Sequence, residues 1–142
     1  MDIRTLTPRY AVTPQITAED IDAIKAAGFT RVICNRPDAE NPPDLFAAEI
    51  EAAVRAAGLE FVALPLTYPT MTPEAIAQHM AALEADGPVL AYCASGTRCT
   101  TIWALGRAGQ GANVDDILAA AARAGYDLAS LRPRLDDLAA SA

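Results

Sequence analysis

The chain has 142 residues, of which 52% are apolar, 20% charged and 6% aromatic, with a mean hydropathy of +0.16. That supplies apolar surface for one hydrophobic core and too little length for a second, so residues 1–142 read as one domain that folds unaided. Eleven Lys and Arg against eighteen Asp and Glu leave a net charge of −7, which repels a phosphate backbone and excludes general nucleic-acid binding.

No charged start with an apolar run and cleavage site opens the sequence, and no stretch approaches the ~20 apolar residues of a membrane span. Cys34, Cys93 and Cys99 are an odd number of cysteines at unrelated spacings, which predicts free thiols in a reducing compartment. A soluble cytoplasmic protein without a membrane partner is expected.

Thr17 with Asp20 forms a variant capping box, and Ile21, Ile24 and Ala27 then share one helical face up to Gly28. Arg31-Val32-Ile33-Cys34 is short and β-branched and predicts a buried strand, with Cys34 in the core. Pro37, Pro42 and Pro43 keep the next segment irregular until about Asp44, where Phe46, Ile50 and Val54 recur at helical spacing up to Gly58. Leu59 to Leu64 is a second strand. Thr72-Pro73 caps a helix whose buried face carries Ile76, Met80 and Leu83, and which ends before Gly87-Pro88; His79 on that helix is expected at the surface. Val89 to Tyr92 is a third strand, followed by Cys93-Ala94-Ser95-Gly96-Thr97-Arg98 and a helix from Cys99 to about Arg107 with Trp103 in the core. Asn113 caps a helix with Val114, Ile117, Leu118 and Ala121 on one face, and Asp127 caps a last helix that Pro133 shortens or bends.

Strands alternating with helices predict an α/β fold, a small parallel sheet flanked by helices. Ligands of such sheets bind beyond the carboxyl ends of the strands, which places Cys93–Arg98 and Asn35-Arg36-Pro37-Asp38 on one rim.

A glycine-containing loop between strand and helix turns its N–H groups inward and makes an anion cradle. Cys93 opens this loop, where amides and the helix dipole favour a thiolate nucleophile. Arg98 closes it with paired donors for an oxyanion; a cation at a helix N-terminus implies an anionic partner. Gly96 permits the reversal, and Ser95 or Thr97 supplies a hydroxyl donor to the thiolate or the ligand. Ala94 to Thr97 and the adjacent Cys99 complete the candidate loop. Cys99 has two readings, a resolving thiol or sulfur relay and a small inward-facing helix residue, of which the second is expected. Arg36 and Asp38 either pair with each other to fix their loop or face Cys93 as substrate contacts. With one histidine and no Cys-x-x-Cys pair, no metal site and no cofactor are expected.

Tyr92 to Arg98 resembles the Cys-x-x-Gly-x-Arg active-site loop of rhodanese-type sulfurtransferases, and cysteine phosphatases use a related loop. Gln15-Ile16-Thr17, Ala27-Gly28-Phe29 and Val32-Ile33-Cys34-Asn35-Arg36-Pro37-Asp38-Ala39-Glu40 make roughly residues 5 to 108 similar to the phosphatase-like domain of beta-lactamase-hydrolase-like proteins. The resemblance implies a cysteine-phosphatase-like fold and either phosphatase or sulfur-transfer chemistry. The loop has four residues between Cys93 and Arg98, one fewer than the phosphatases it resembles, and Tyr92 stands where they usually carry histidine. Leu64 to Met71, which corresponds to the phosphatase acid loop, has no carboxylate, although Asp38 or Glu40 could substitute for the acid.

Sulfur transfer requires no acid, so the expected activity is a rhodanese-like sulfur transferase. Cys93 would take sulfur from a small oxyanion or persulfide and pass it from a Cys93 persulfide to an acceptor thiol. Ala94 departs from the Arg often found there in rhodaneses. The alternative is a phosphatase acting on a phosphorylated substrate through a phosphocysteine; a second alternative is a persulfide or anion sensor without turnover.

Overall fold

The computed structural model describes residues 1–142. Two strands precede the first helix: β1 (Arg4–Thr7) turns at Pro8-Arg9 into β2 (Tyr10–Thr13), and the two pair antiparallel. The sequence reading missed this hairpin. β1 has only Leu6 buried and so shows no apolar run, and its two-residue turn lacks the Gly or Asn signal.

After α1 (Ile21–Ala26), β3 (Arg31–Cys34) is followed by α2 (Ala47–Ala56) and β4 (Glu60–Ala63). Next come α3 (Pro73–Ala82), β5 (Val89–Tyr92) and α4 (Thr97–Gly109), and the chain ends in α5 (Val114–Arg123) and α6 (Arg132–Ala140). The strand order is β1-β2-β5-β3-β4, and every pair except β1–β2 is parallel. The sheet is therefore mostly parallel and flanked by helices, as expected. No helix is long and apolar enough to cross a membrane.

Side chains alternate across the sheet with the strand period of two. Val12, Ile33, Val89 and Ala91 pack towards α3, α4, α5 and α6, whereas Ala11, Val32, Cys34, Leu90 and Tyr92 pack towards α1 and α2. Central α4 buries Cys99 through Gly106 without a break, Trp103 included. At Gly106 a Cβ would stand 2.3 Å from the Met80 sulfur, so glycine is what lets α3 lie this close.

Capping follows local chemistry. The Thr72 hydroxyl accepts from the Ala75 amide at 3.2 Å, and Asn113 Oδ1 from the Asp116 amide at 3.0 Å. Asp20 accepts from the Thr17 amide at 2.9 Å and completes the predicted box. Two readings at the C-terminal end change. Asp127 accepts from the Ala129 amide and fixes a 3-10 turn, and Pro133 lies in the first turn of α6, where its missing N–H costs nothing.

The register lines up the strand ends: Thr13 and Cys34 both pair with Tyr92, and Cys34 with Ala63. The segments that leave β2, β3, β4 and β5 therefore start side by side on one rim. Backbone bonds tie them together, from the Asn35 amide to the Tyr92 carbonyl at 2.8 Å and from the Leu66 amide to the Asn35 carbonyl at 2.8 Å.

Candidate active site

β5 delivers Cys93 to the centre of this rim. Gly96, at φ 89°, then reverses the chain into the left-handed region and caps α4, which begins at Thr97 rather than at Cys99 as predicted. The reversal aims the Gly96 amide at the Cys93 sulfur, 3.1 Å away. A Cβ at this position would also fall 2.1 Å from the Tyr126 hydroxyl, so neither φ nor space admits another residue. The loop is braced from outside: the Tyr126 hydroxyl donates to the Ser95 carbonyl at 2.9 Å, and the Thr100 hydroxyl to the Gly96 carbonyl at 2.8 Å.

Cys93 is 1% exposed, whereas Ala94 and Ser95, which follow it in the loop, are exposed. Its pKa is lowered to about 5, first by the Cys99 thiol, then by the backbone amides of Cys99, Ser95 and Arg98, all working against burial. Burial pushes the fully enclosed Cys99 thiol far up, so it stays neutral beside Cys93 and favours the charged form of its neighbour. Cys99 is thus the small inward-facing residue expected, with an electrostatic effect on Cys93. The Ser95 and Thr97 hydroxyls bond each other at 2.9 Å, and Ser95 Oγ accepts from the Thr97 amide; neither donates to the thiolate.

A guanidinium has five N–H donors. Arg98 gives one each from Nη1 and Nη2 to the Glu40 carboxylate, at 2.8 and 2.7 Å, and the second from Nη1 to the Leu66 carbonyl at 2.8 Å. Nε–H and the second Nη2–H remain. They share one edge of the plane, the fork that grips an oxyanion through two parallel bonds. Glu40 and the Cys93 sulfur both raise the Arg98 pKa, Glu40 more strongly, so the charge is permanent.

Glu40 in turn holds Arg36, whose Nε lies 3.4 Å from Oε1 and whose Nη2 donates to the Glu40 carbonyl at 3.1 Å. Arg98 first and Arg36 second keep the Glu40 carboxyl below the usual carboxylate range. Arg36 therefore reaches the rim through Glu40. Asp38 Oδ1 accepts from the Ala47 amide at 2.8 Å at the start of α2, so the considered Arg36–Asp38 pair is absent.

His79 is fully buried, contrary to the surface position expected. Asn35 Nδ2 lies 3.4 Å from its Nδ1, and its Nε2 lies 2.9 Å from the Tyr10 hydroxyl, which donates to the Cys99 carbonyl at 2.9 Å. Burial pushes the imidazole down to about 3, so it is neutral, and the chain of bonds supports the first turn of α4 from below. No sequence signal separated His79 from a surface helix position, because its partners come from β2 and from the end of β3.

Sequence comparison places this geometry in a family. The profile described as "Beta-lactamase hydrolase-like protein, phosphatase-like domain" matches residues 2–110. The chain belongs to that family. The phosphatase-like domain is 36% identical over 106 residues to a beta-lactamase hydrolase-like protein of Agrobacterium fabrum, covering 72% of this chain and 24% of that one. It is 30% identical over 130 residues to a namesake from Xylella fastidiosa, covering 90% of this chain and 30% of that one. The chain thus spans a quarter to a third of the curated relatives it matches. Among solved structures, a phosphatase candidate from Neisseria meningitidis superposes with a TM-score of 0.86 at 35% identity, over 97% of this chain and 99% of that one. The active form of Tk-PTP, at 19% identity and a TM-score of 0.71 over 99% and 98% of the two chains, shares the fold.

These relationships overturn the expected sulfur transferase: the domain's family is phosphatase-like. The four-residue spacing between Cys93 and Arg98 therefore occurs within a phosphatase-like family.

Proposed function

We propose that the domain hydrolyses phosphorylated substrates through a phosphocysteine on Cys93. The observation that carries this reading is the free Nε–Nη2 edge of Arg98 beside a sulfur whose pKa is lowered to about 5. Three phosphoryl oxygens need donors, which the loop amides and this edge provide, and the Cys93 thiolate attacks phosphorus. In the first step the sulfur–phosphorus bond forms and the phosphorus–oxygen bond to the leaving group breaks. In the second, water attacks phosphorus and the sulfur departs as thiolate.

Cys93 is the nucleophile and Arg98 the oxyanion clamp; the 94–97 backbone forms the cradle and Cys99 sets the sulfur charge. Glu40 and Arg36 position Arg98. Residues 1–142 act as one folding unit, since a single sheet carries both cores. Release of inorganic phosphate from an aryl phosphate tests the reading. Wild type should turn over, Cys93→Ser should be inactive, and Arg98→Lys should lose rate because a point charge cannot replace the fork. Equal release by wild type and Cys93→Ser would refute it.

A further inference from the structure

We infer that this site is built for phosphoryl donors whose leaving group departs as a stable anion, as in acyl phosphates, phosphoanhydrides or phosphate esters of acidic phenols, and not for alkyl phosphates. The inference deepens the phosphatase reading and rests on it. Its ground is that Asp20, Asp38 and Asp127 are each committed to a backbone amide, Glu40 is committed to two guanidiniums, and the Leu64–Met71 segment carries no carboxylate.

Asp38 Oδ1 accepts from the Ala47 amide at 2.8 Å, and Asp20 accepts from the Thr17 amide at 2.9 Å. Asp127 accepts from the Ala129 amide at 3.0 Å. Glu40 lies between two guanidiniums, which keep it ionised, so it positions Arg98 and has no proton to give. The Leu64–Met71 segment has no Asp or Glu; its Leu66 carbonyl serves Arg98, and the Thr67 amide closes on the Thr70 hydroxyl at 2.9 Å. His79 lies behind the loop, fully buried, with both ring nitrogens engaged. The Tyr126 proton is given to the Ser95 carbonyl.

With no acid in place, the oxygen that leaves phosphorus takes the bonding electron pair and departs unprotonated. That step is fast only where the leaving group bears the charge itself; solvent protonates it afterwards. The sulfur faces no such demand in the second step, since it leaves as an already stabilised thiolate while the water proton passes to the phosphate product or solvent. Breakdown of the phosphocysteine also proceeds without a positioned base, so it is the slower step and product appears in a burst.

The test is kcat/KM for the full chain across acetyl phosphate, dinitrophenyl, nitrophenyl and phenyl phosphates and phosphoserine, with Glu40→Gln run beside wild type. We expect kcat/KM to fall steeply as leaving-group basicity rises, by the ~10²–10⁴-fold that a general acid would otherwise supply, with the same slope in Glu40→Gln. A level series in wild type, or a slope that steepens in Glu40→Gln, overturns this inference and leaves the phosphatase reading standing. Absence of any Cys93-dependent release of dinitrophenolate from dinitrophenyl phosphate overturns both.

Discussion

Arg98 and Glu40, 58 positions apart in the chain, meet fork to fork at 2.7 and 2.8 Å on the rim of the sheet. The pair takes the end of the guanidinium and leaves its Nε–Nη2 edge free, so in the proposed reaction Glu40 orients Arg98 without occupying that edge.

Removing that restraint should weaken oxyanion binding while leaving the thiolate in place. Glu40→Ala is expected to raise KM for an aryl phosphate about fivefold, on the order of 1 kcal/mol, because the Glu40 side chain is 36% exposed and its pairing is screened. Steady-state kinetics and the competitive inhibition constant of inorganic phosphate measure this; a lower phosphate inhibition constant would show that Glu40 blocks the site.

The neutral Cys99 thiol favours the charged form of Cys93. Cys99→Ala should raise the Cys93 pKa above about 5, whereas Cys99→Ser, which keeps a donor, should raise it less. Iodoacetamide alkylation rates against pH report both values, and identical curves for Cys99→Ala and wild type would contradict the assignment.

Gly96 and Tyr126 are coupled by space. Gly96→Ala forces a side chain into the left-handed region and against the Tyr126 hydroxyl, with an expected loss of ~1–3 kcal/mol and of activity. Tyr126→Phe removes the hydroxyl and should partly rescue Gly96→Ala, so the two changes are non-additive in a thermal-melting cycle. Strict additivity would mean that the backbone conformation alone carries the loss.

Stability should rise with pH across the acidic and neutral range. His79 has a folded pKa of about 3 against an ordinary 6.5, and Cys93 about 5 against 9.0, so between each pair of values the unfolded chain holds more protons. Folding is therefore penalised as pH falls through both windows, by up to about 1.4 kcal/mol per pH unit for each group. Tm should climb from acid to mildly alkaline pH, and Cys93→Ser should flatten the upper part of the climb. A Tm independent of pH in wild type would count against both buried assignments.

Local chemistry made much of the rim legible in the sequence. The capping box at Thr17, the strand at Arg31–Cys34 and the Cys93–Arg98 loop each announce themselves within a few residues, and strand alternation with helices implies which end they share. What stayed hidden depends on distant segments meeting. The Glu40–Arg98 pair, the Leu66 carbonyl on Arg98, the Tyr126 brace and the burial of His79 under Tyr10 join residues 31 to 69 positions apart. The β1–β2 hairpin was unreadable because its outer strand is mostly uncovered. The missing acid in Leu64–Met71 was visible from the start, but it bears on the leaving group and not on the class of reaction, and so it pointed wrongly to sulfur transfer.

The most direct measurement is acid-quenched mass spectrometry of the protein mixed with dinitrophenyl phosphate on the millisecond scale. The account predicts one phosphoryl group on the peptide carrying Cys93, formed as fast as the phenolate burst and absent in Cys93→Ser. Phosphate released with no adduct on that peptide, or an adduct on another residue, would contradict it.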